Sequence, residues 1–550
     1  MKFFEAHQTK RLQHFLLILG SLIVAFLLKT WLILSDVIPF NSDEAVVGLM
    51  ARHILQGADP IFFYGQAYMG SLDAWLVAVG FTIFGEHVWV IRGVQTLLYL
   101  GIMGSTYILG RVALGSRRVG LLAMWLMAIP NVIVTLYTTV SLGGYGEGIL
   151  LGSLNLIVGI TIAKKIRAEK YCKAGYWFLW GFLTGFGLWV FGISLVFSIP
   201  MGIFMLLCLW DMTSNLGKFL KSRQIWRLSL LIIAGFVFGA IPFWAYAYQN
   251  GLGVLFQELV GSAVAVEQTS FVQRSIQHLG SYLLFGSTAI FGMRPSWEVR
   301  WLGLPLMPFI LIFWIGVFIF TLYRLRRNFS HRFGRAVLFS TMITLGIGFV
   351  FTSFGVDPSG RYFLPMVIPL SLFAAEMIDY LSNQYSRWAL GLVGLILVYH
   401  SWGIYDAASH YPPGITTQFD PIAQVDSRYL DDLILFLERE GETRGYTNYW
   451  VSYPLAFLSE EELVFVPRLP YHQDMRYTER DNRYAPYVEV VEAAEQVTYI
   501  TTHHLELNDR IRGAFIAKEI DWKEHQIGDY LIFYNLSDLI KPEEIDLNSR

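Results

Sequence analysis

Apolar runs of about twenty residues recur from near residue 14 to about residue 405, separated by short polar breaks, and the pattern then stops. A helix rises about 1.5 Å per residue, so each run suffices to cross the ~30 Å hydrocarbon core of a bilayer. Eleven membrane helices are expected, at about 14–34, 88–110, 119–138, 147–164, 176–191, 193–210, 228–249, 301–323, 336–354, 362–380 and 388–405. The first is too long for a signal peptide and lacks the small-residue cleavage pattern, so it reads as a retained helix. A further apolar stretch, Ser71 to Gly85, is short for a crossing at about fifteen residues. Ahead of it, Val46, Leu49, Met50 and Ile54 recur at helical spacing and Gly57 supplies a stop, which predicts a short amphipathic helix lying on the bilayer.

Positive charge orients these elements, because Lys and Arg concentrate in inner loops. If Ser71 to Gly85 stays on the surface, Arg111, Arg117 and Arg118 fall inside. So do Lys164, Lys165, Arg167, Lys170 and Lys173, then Lys218, Lys221, Arg223 and Arg227, then Arg324, Arg326, Arg327, Arg332 and Arg335. Lys2, Lys10 and Arg11 put the N-terminus in the cytoplasm, residues 35–87 form a long first outer loop, and the C-terminus lies outside.

Composition agrees: 54% hydrophobic residues, 15% charged and a mean hydropathy of +0.46 exclude a soluble globular enzyme of 550 residues. The two cysteines, Cys172 and Cys208, make no disulfide framework, and no Cys or His cluster marks a metal site. From about Tyr411 the chain turns polar. Asp431 to Glu440 reads as an amphipathic helix, and Leu463 to Val466, Val497 to Thr501 and Gly528 to Tyr534 as strands. The expected architecture is therefore an α-helical multi-pass plasma-membrane protein over residues 1–410, followed by a small extracytoplasmic α/β domain over residues 411–550 that carries no catalytic motif.

Three polar points on the outer side stand out. Asn41-Ser42-Asp43-Glu44 sets two carboxylates at the mouth of the surface helix. Capping accounts for part of this, since Ser42 can cap a helix that begins at Asp43 and acids suit a first turn. Glu147, in Ser141-Leu-Gly-Gly-Tyr-Gly-Glu147, sits at the outer end of a helix and could serve its dipole. Asp357-Pro-Ser-Gly-Arg361-Tyr362-Phe-Leu-Pro365 is a turn that sets an arginine where snorkelling is the ordinary alternative. The first loop adds Tyr64, Gln66, Tyr68 and Asp73 as candidate substrate-binding groups, more polar than an aromatic belt requires. Outer carboxylates beside a cation suit one reaction: a carboxylate accepts the proton of an attacking hydroxyl while a guanidinium holds a departing phosphate.

The features appear in a telling order. A basic N-terminus and one helix precede Asp43-Glu44-Ala45 with Met50-Ala51-Arg52, then Phe84-Gly85 with Arg92, then Gly360-Arg361-Tyr362 with Leu364-Pro365. Over about residues 10–405 this resembles the GT-C glycosyltransferases. The nearest branch is glycosyltransferase family 39, which includes protein O-mannosyltransferases and lipid A aminoarabinose transferases. Where family members often have a Lys-Pro or Pro-rich segment, this chain has Gly65-Gln66-Ala67-Tyr68-Met69-Gly70. The resemblance implies a GT-C fold and a catalytic first-loop Asp, here Asp43 with Glu44 as its neighbour.

Together these readings predict an inverting transferase that moves a monosaccharide from a polyprenyl-phosphate donor to an acceptor (protein, lipid or polysaccharide) on the outer face. Asp43 would be the base, Arg361 and Tyr362 the donor-phosphate site, and Glu147 a second acid near the acceptor or a divalent metal. No other cofactor and no nucleic acid is called for. A transporter or lipid flippase is the competing class, but its charges would line a midplane path instead of gathering at one surface.

Overall fold

The structure, a computed structural model, describes residues 2–168, 172–213, 221–254, 270–326, 331–357 and 359–545. Lys170, Lys218 and Arg327 from the basic clusters, and Pro358 of the arginine turn, lie outside the described residues. Among the described residues, eight helices are long and apolar enough to cross a membrane, or nine if Arg223–Gly239 and Ile241–Asn250, bent by 62° at their junction, form one span. This is an integral membrane protein.

The expected eleven spans differ from this count at two places. The run 119–138 is not one helix but two, α5 (Arg117–Ala128) and α6 (Val132–Tyr137). The break falls at Pro130, which has no N–H to give, and Ile129 before it is extended, as a pre-proline residue should be. The broken end is held by α1 (Lys2–Leu34), whose buried Lys29 donates to the Thr135 carbonyl at 2.9 Å and to the Thr138 and Thr139 hydroxyls at 2.7 Å. The run 176–191 does form a helix, Ala174–Val190, but of only 17 residues. It packs backbone to backbone on Arg223–Gly239, where Gly181 and Gly185 face Gly235 and Gly239: a Cβ on any of these four would come within 2.3 Å of a carbonyl oxygen. Small residues spaced four apart let membrane helices approach this closely, so any side chain there would force them apart.

The first loop folds as α2 (Ser42–Leu55), a hairpin of β1 (Phe62–Phe63) and β2 (Gln66–Gly70), and α3 (Leu72–Phe84), leading into α4 (Val88–Val112). The 13-residue α3 matches the short apolar stretch expected not to cross. The helix α2 differs from expectation, being buried along nearly its whole length. Its far side is covered by the C-terminal domain: a Cβ at Gly48 would meet the Phe457 ring at 2.6 Å and Ile91 of α4 at 3.0 Å. Thus α2 is wedged between the membrane bundle and the C-terminal domain.

That domain is α/β, as expected, around a five-stranded sheet of order β4-β3-β5-β7-β6. Its strands are β3 (Arg444–Thr447), β4 (Val464–Pro467), β5 (Thr498–Thr502), β6 (Lys523–Ile527) and β7 (Tyr530–Tyr534). The first three are parallel and the last two join antiparallel. The anticipated helix is Leu430–Glu440, whose Leu433 and Leu437 pack on Phe465, Ile500 and Ile532 of the sheet. The parallel crossover between β3 and β4 is the helix Tyr449–Leu458, and this helix lies on α2.

Candidate functional site

The N-cap of α2 is Asn41 and not Ser42: its side chain accepts from the Glu44 N–H at 3.1 Å. Ser42 instead sends its hydroxyl across to the Tyr449 carbonyl, joining the loop to the C-terminal domain. The two carboxylates then part. Glu44 turns toward the bundle, fully buried, and accepts from Arg92 Nε and Nη2, each at 2.9 Å, while Asn41 Nδ2 donates to it at 3.1 Å. A bidentate buried pair of this kind occupies both carboxylate oxygens. Asp43 faces the domain and remains partly exposed; its Oδ1 accepts from the Tyr449 hydroxyl at 2.6 Å.

Arg483, from the loop before the helix Pro486–Glu492, lies over the Tyr449 ring at 5.3 Å. Burial opposes the charge of Arg483, but Tyr449, Asp43 and Tyr68 outweigh it and hold the guanidinium protonated. With its amide turned so that both ends are satisfied, Gln66 accepts from Arg483 Nη2 at 2.7 Å and donates to the Tyr68 hydroxyl at 3.2 Å. Tyr68 is itself within electrostatic reach of Asp43, Arg483, Arg361 and Tyr362. Gln66 and Tyr68 therefore stand between Asp43 with Arg483 on one side and Arg361 with Tyr362 on the other.

At the other end, Gly360 (φ 80°) caps the short 3-10 turn Arg361–Met366 that leads into the helix Val367–Gln384. Asp357 makes the turn: its Oδ1 accepts from the Ser359 N–H at 2.8 Å, and its Oδ2 pairs with Arg361 Nε at 2.5 Å. Arg361 also lies over the Tyr362 ring at 5.3 Å and is 29% exposed, so the charge is steadied but not sealed.

The remaining candidates are gathered elsewhere. Asp73 and Glu147 meet each other in the buried interior, with Gln95 Nε2 donating to Asp73 Oδ1 at 3.0 Å and Ser141 donating to its other oxygen. Tyr64 stacks on Tyr484 at 4.8 Å and contacts His53 Nδ1 at 3.0 Å, while His53 Nε2 meets Glu461 Oε1 at 3.0 Å. That cluster clasps the loop to the C-terminal domain. Among the described residues, no three His, Cys, Asp or Glu side chains gather as a metal site. Sequence reasoning missed Tyr449 and Arg483. They sit more than 400 residues after Asp43 in a domain without a motif, and no local spacing links them to it.

No family model matches the sequence, and no curated protein matches it either. Solved structures do match. ArnT from Cupriavidus metallidurans bound to undecaprenyl phosphate superposes with a TM-score of 0.59 at 13% identity, over 96% of this chain and 98% of that one. The same protein in its apo state gives 0.55 at 12% identity, over 90% and 93%. The fold is that of ArnT. The GT-C architecture expected from the order of motifs is borne out at this level, and the likeness to ArnT runs through the C-terminal domain as well as the membrane bundle.

Proposed function

We propose that this protein transfers a monosaccharide from a polyprenyl-phosphate carrier to an acceptor hydroxyl or amine on the membrane face that bears the C-terminal domain. One observation carries the reading: a partly exposed carboxylate, Asp43, and a guanidinium at the mouth of a membrane helix, Arg361, both lie within electrostatic reach of the same buried tyrosine, Tyr68. A carrier keeps its chain in the bilayer and its phosphate at the surface, which is where Arg361 sits if that helix crosses. The fold of a protein seen with undecaprenyl phosphate supports the donor class.

In this reading the acceptor attacks the anomeric carbon and loses its proton to Asp43. The bond from that carbon to the phosphate oxygen breaks, its electron pair stays on the phosphate, and polyprenyl phosphate departs against Arg361. A single displacement inverts the anomeric configuration. Tyr362 shapes the phosphate pocket, and no step is routed through a metal. The basic loops support an orientation with the N-terminus cytoplasmic and this site outside.

The test is release of polyprenyl phosphate from a labelled polyprenyl-phosphate sugar by purified protein, run with several sugars. Release that depends on Asp43 supports the transferase. Flux of the intact lipid across a proteoliposome without release would establish the transporter reading instead.

A further inference from the structure

The C-terminal domain is more than a cover. Resting on the reading of Asp43 as the base, we infer that Tyr449 and Arg483 of the C-terminal domain are positioning residues for that base, so that the catalytic centre is complete only when this domain is seated on α2.

The geometry has the form of a base oriented by a second group that a third group holds. Tyr449 donates to Asp43 Oδ1 at 2.6 Å, and among the described residues no hydrogen bond reaches Oδ2, which is left to take the acceptor's proton. The hydroxyl is held from several directions. Tyr449 is 3% exposed, packs edge-on against Trp450 and Tyr453 with ring centroids 4.9 and 5.6 Å away, and has its backbone carbonyl bonded by Ser42. Asn448 caps the helix by accepting from the Trp450 N–H at 2.9 Å. Arg483 is fixed in turn: its N–H donates to the Tyr453 hydroxyl at 2.5 Å and its Nη2 to Gln66 at 2.7 Å. The guanidinium so fixed lies over the Tyr449 ring at 5.3 Å and holds the ring in place beside Asp43.

Docking alone does not require this relay. The domain is already seated by Phe457 against Gly48, by Arg52 Nη2 donating to the Phe457 carbonyl at 3.1 Å, and by the contact of His53 with Glu461. A tyrosine that served only as packing would not need its hydroxyl on Asp43.

The groups that face Asp43 are Tyr449, Arg483, Tyr471 and Asp481 from the domain and Tyr68 from the hairpin; Glu44, its chain neighbour, is spent on Arg92.

The experiment uses the full chain with a polyprenyl-phosphate sugar that the wild type accepts, comparing Tyr449→Phe, Arg483→Gln, Arg483→Lys, Asp43→Asn and Glu461→Gln. Phenylalanine keeps the ring and its packing. Tyr449→Phe should lower kcat by roughly 10- to 100-fold, as expected for loss of a hydrogen bond to a charged group, with the donor KM unchanged. Arg483→Gln should lower kcat in the same way, and Arg483→Lys should restore much of the loss. Glu461→Gln, which loosens docking without touching the relay, should leave kcat nearly unchanged. A kcat loss in Glu461→Gln as large as that in Tyr449→Phe, with no rescue by Arg483→Lys, would overturn the inference. So would wild-type kinetics in Tyr449→Phe alongside an inactive Asp43→Asn, which leaves the base reading standing. Full activity in Asp43→Asn overturns both.

Discussion

The two sides of α2 put adjacent carboxylates to opposite uses. On the bundle side Glu44 has no exposure, both oxygens taken by Arg92 and a further donor in Asn41. On the domain side Asp43 is partly exposed and has one oxygen held and, among the described residues, no hydrogen bond on the other. A carboxylate whose lone pairs are all engaged by a buried cation cannot accept a proton without stranding that cation, whereas one that is held but open can. If Asp43 is the base, as proposed, chemistry and architecture are separated by a single residue along a helix whose successive side chains point about 100° apart.

The sharpest test of that contrast is the base itself. Asp43→Asn keeps the size of the side chain and an acceptor for the Tyr449 hydroxyl while removing proton acceptance. Turnover should fall by roughly 100- to 10,000-fold, the contribution expected of a general base, with the melting temperature nearly unchanged. Turnover equal to wild type would return Asp43 to an ordinary first-turn acid.

Arg361 comes next. In Arg361→Ala transfer should drop by about 100- to 1,000-fold, in line with loss of a preorganised charge partner. Arg361→Lys keeps the charge but not the fork and should retain a fraction. Both should bind polyprenyl phosphate more weakly, measured by competition with the donor. A snorkelling arginine would behave otherwise, with lysine replacing it and product affinity unmoved.

Glu44→Gln should break the other half of the comparison. It strands the Arg92 guanidinium, which is 3% exposed, at a cost of about 3 to 5 kcal/mol of stability. Thermal unfolding in detergent should show the loss, and the molecules that remain folded should turn over nearly normally. A variant with wild-type melting and no activity would move Glu44 into the chemistry.

These differences also explain what was legible beforehand. Apolar run length located most membrane helices and the short α3 because bilayer thickness constrains them one segment at a time. The Pro130 break was visible as a residue but not as an outcome, since a buried Lys29 from a distant helix had to satisfy the freed groups. The proposed base Asp43 and phosphate partner Arg361 stand in local motifs. Tyr449 and Arg483 did not, because the contact that gives them meaning is made across the whole fold. For the same reason α2 was expected to lie on a membrane with one face wet, when the C-terminal domain covers that face.

The smallest effect concerns pH and lies beside the relay. Asp481 is 7% exposed, and burial pushes its carboxyl up to about 7, with Arg483 opposing the rise and Asp43 adding to it. An unfolded chain would release that proton near pH 4. Between about pH 4 and pH 7 the folded state therefore holds more protons than the unfolded state, so stability must fall as pH rises through this window and level off above it. The change is at most about 4 kcal/mol, three pKa units at about 1.4 kcal/mol each, and local relaxation will reduce it. Asp481→Asn, neutral throughout, should flatten that slope and melt higher than wild type at pH 8, where the native carboxylate is charged and poorly solvated. Melting curves from pH 4 to pH 9 on both proteins decide the matter. Parallel curves would mean that Arg483 already compensates Asp481 fully, leaving less of its charge for Tyr449 and Asp43 than the relay requires.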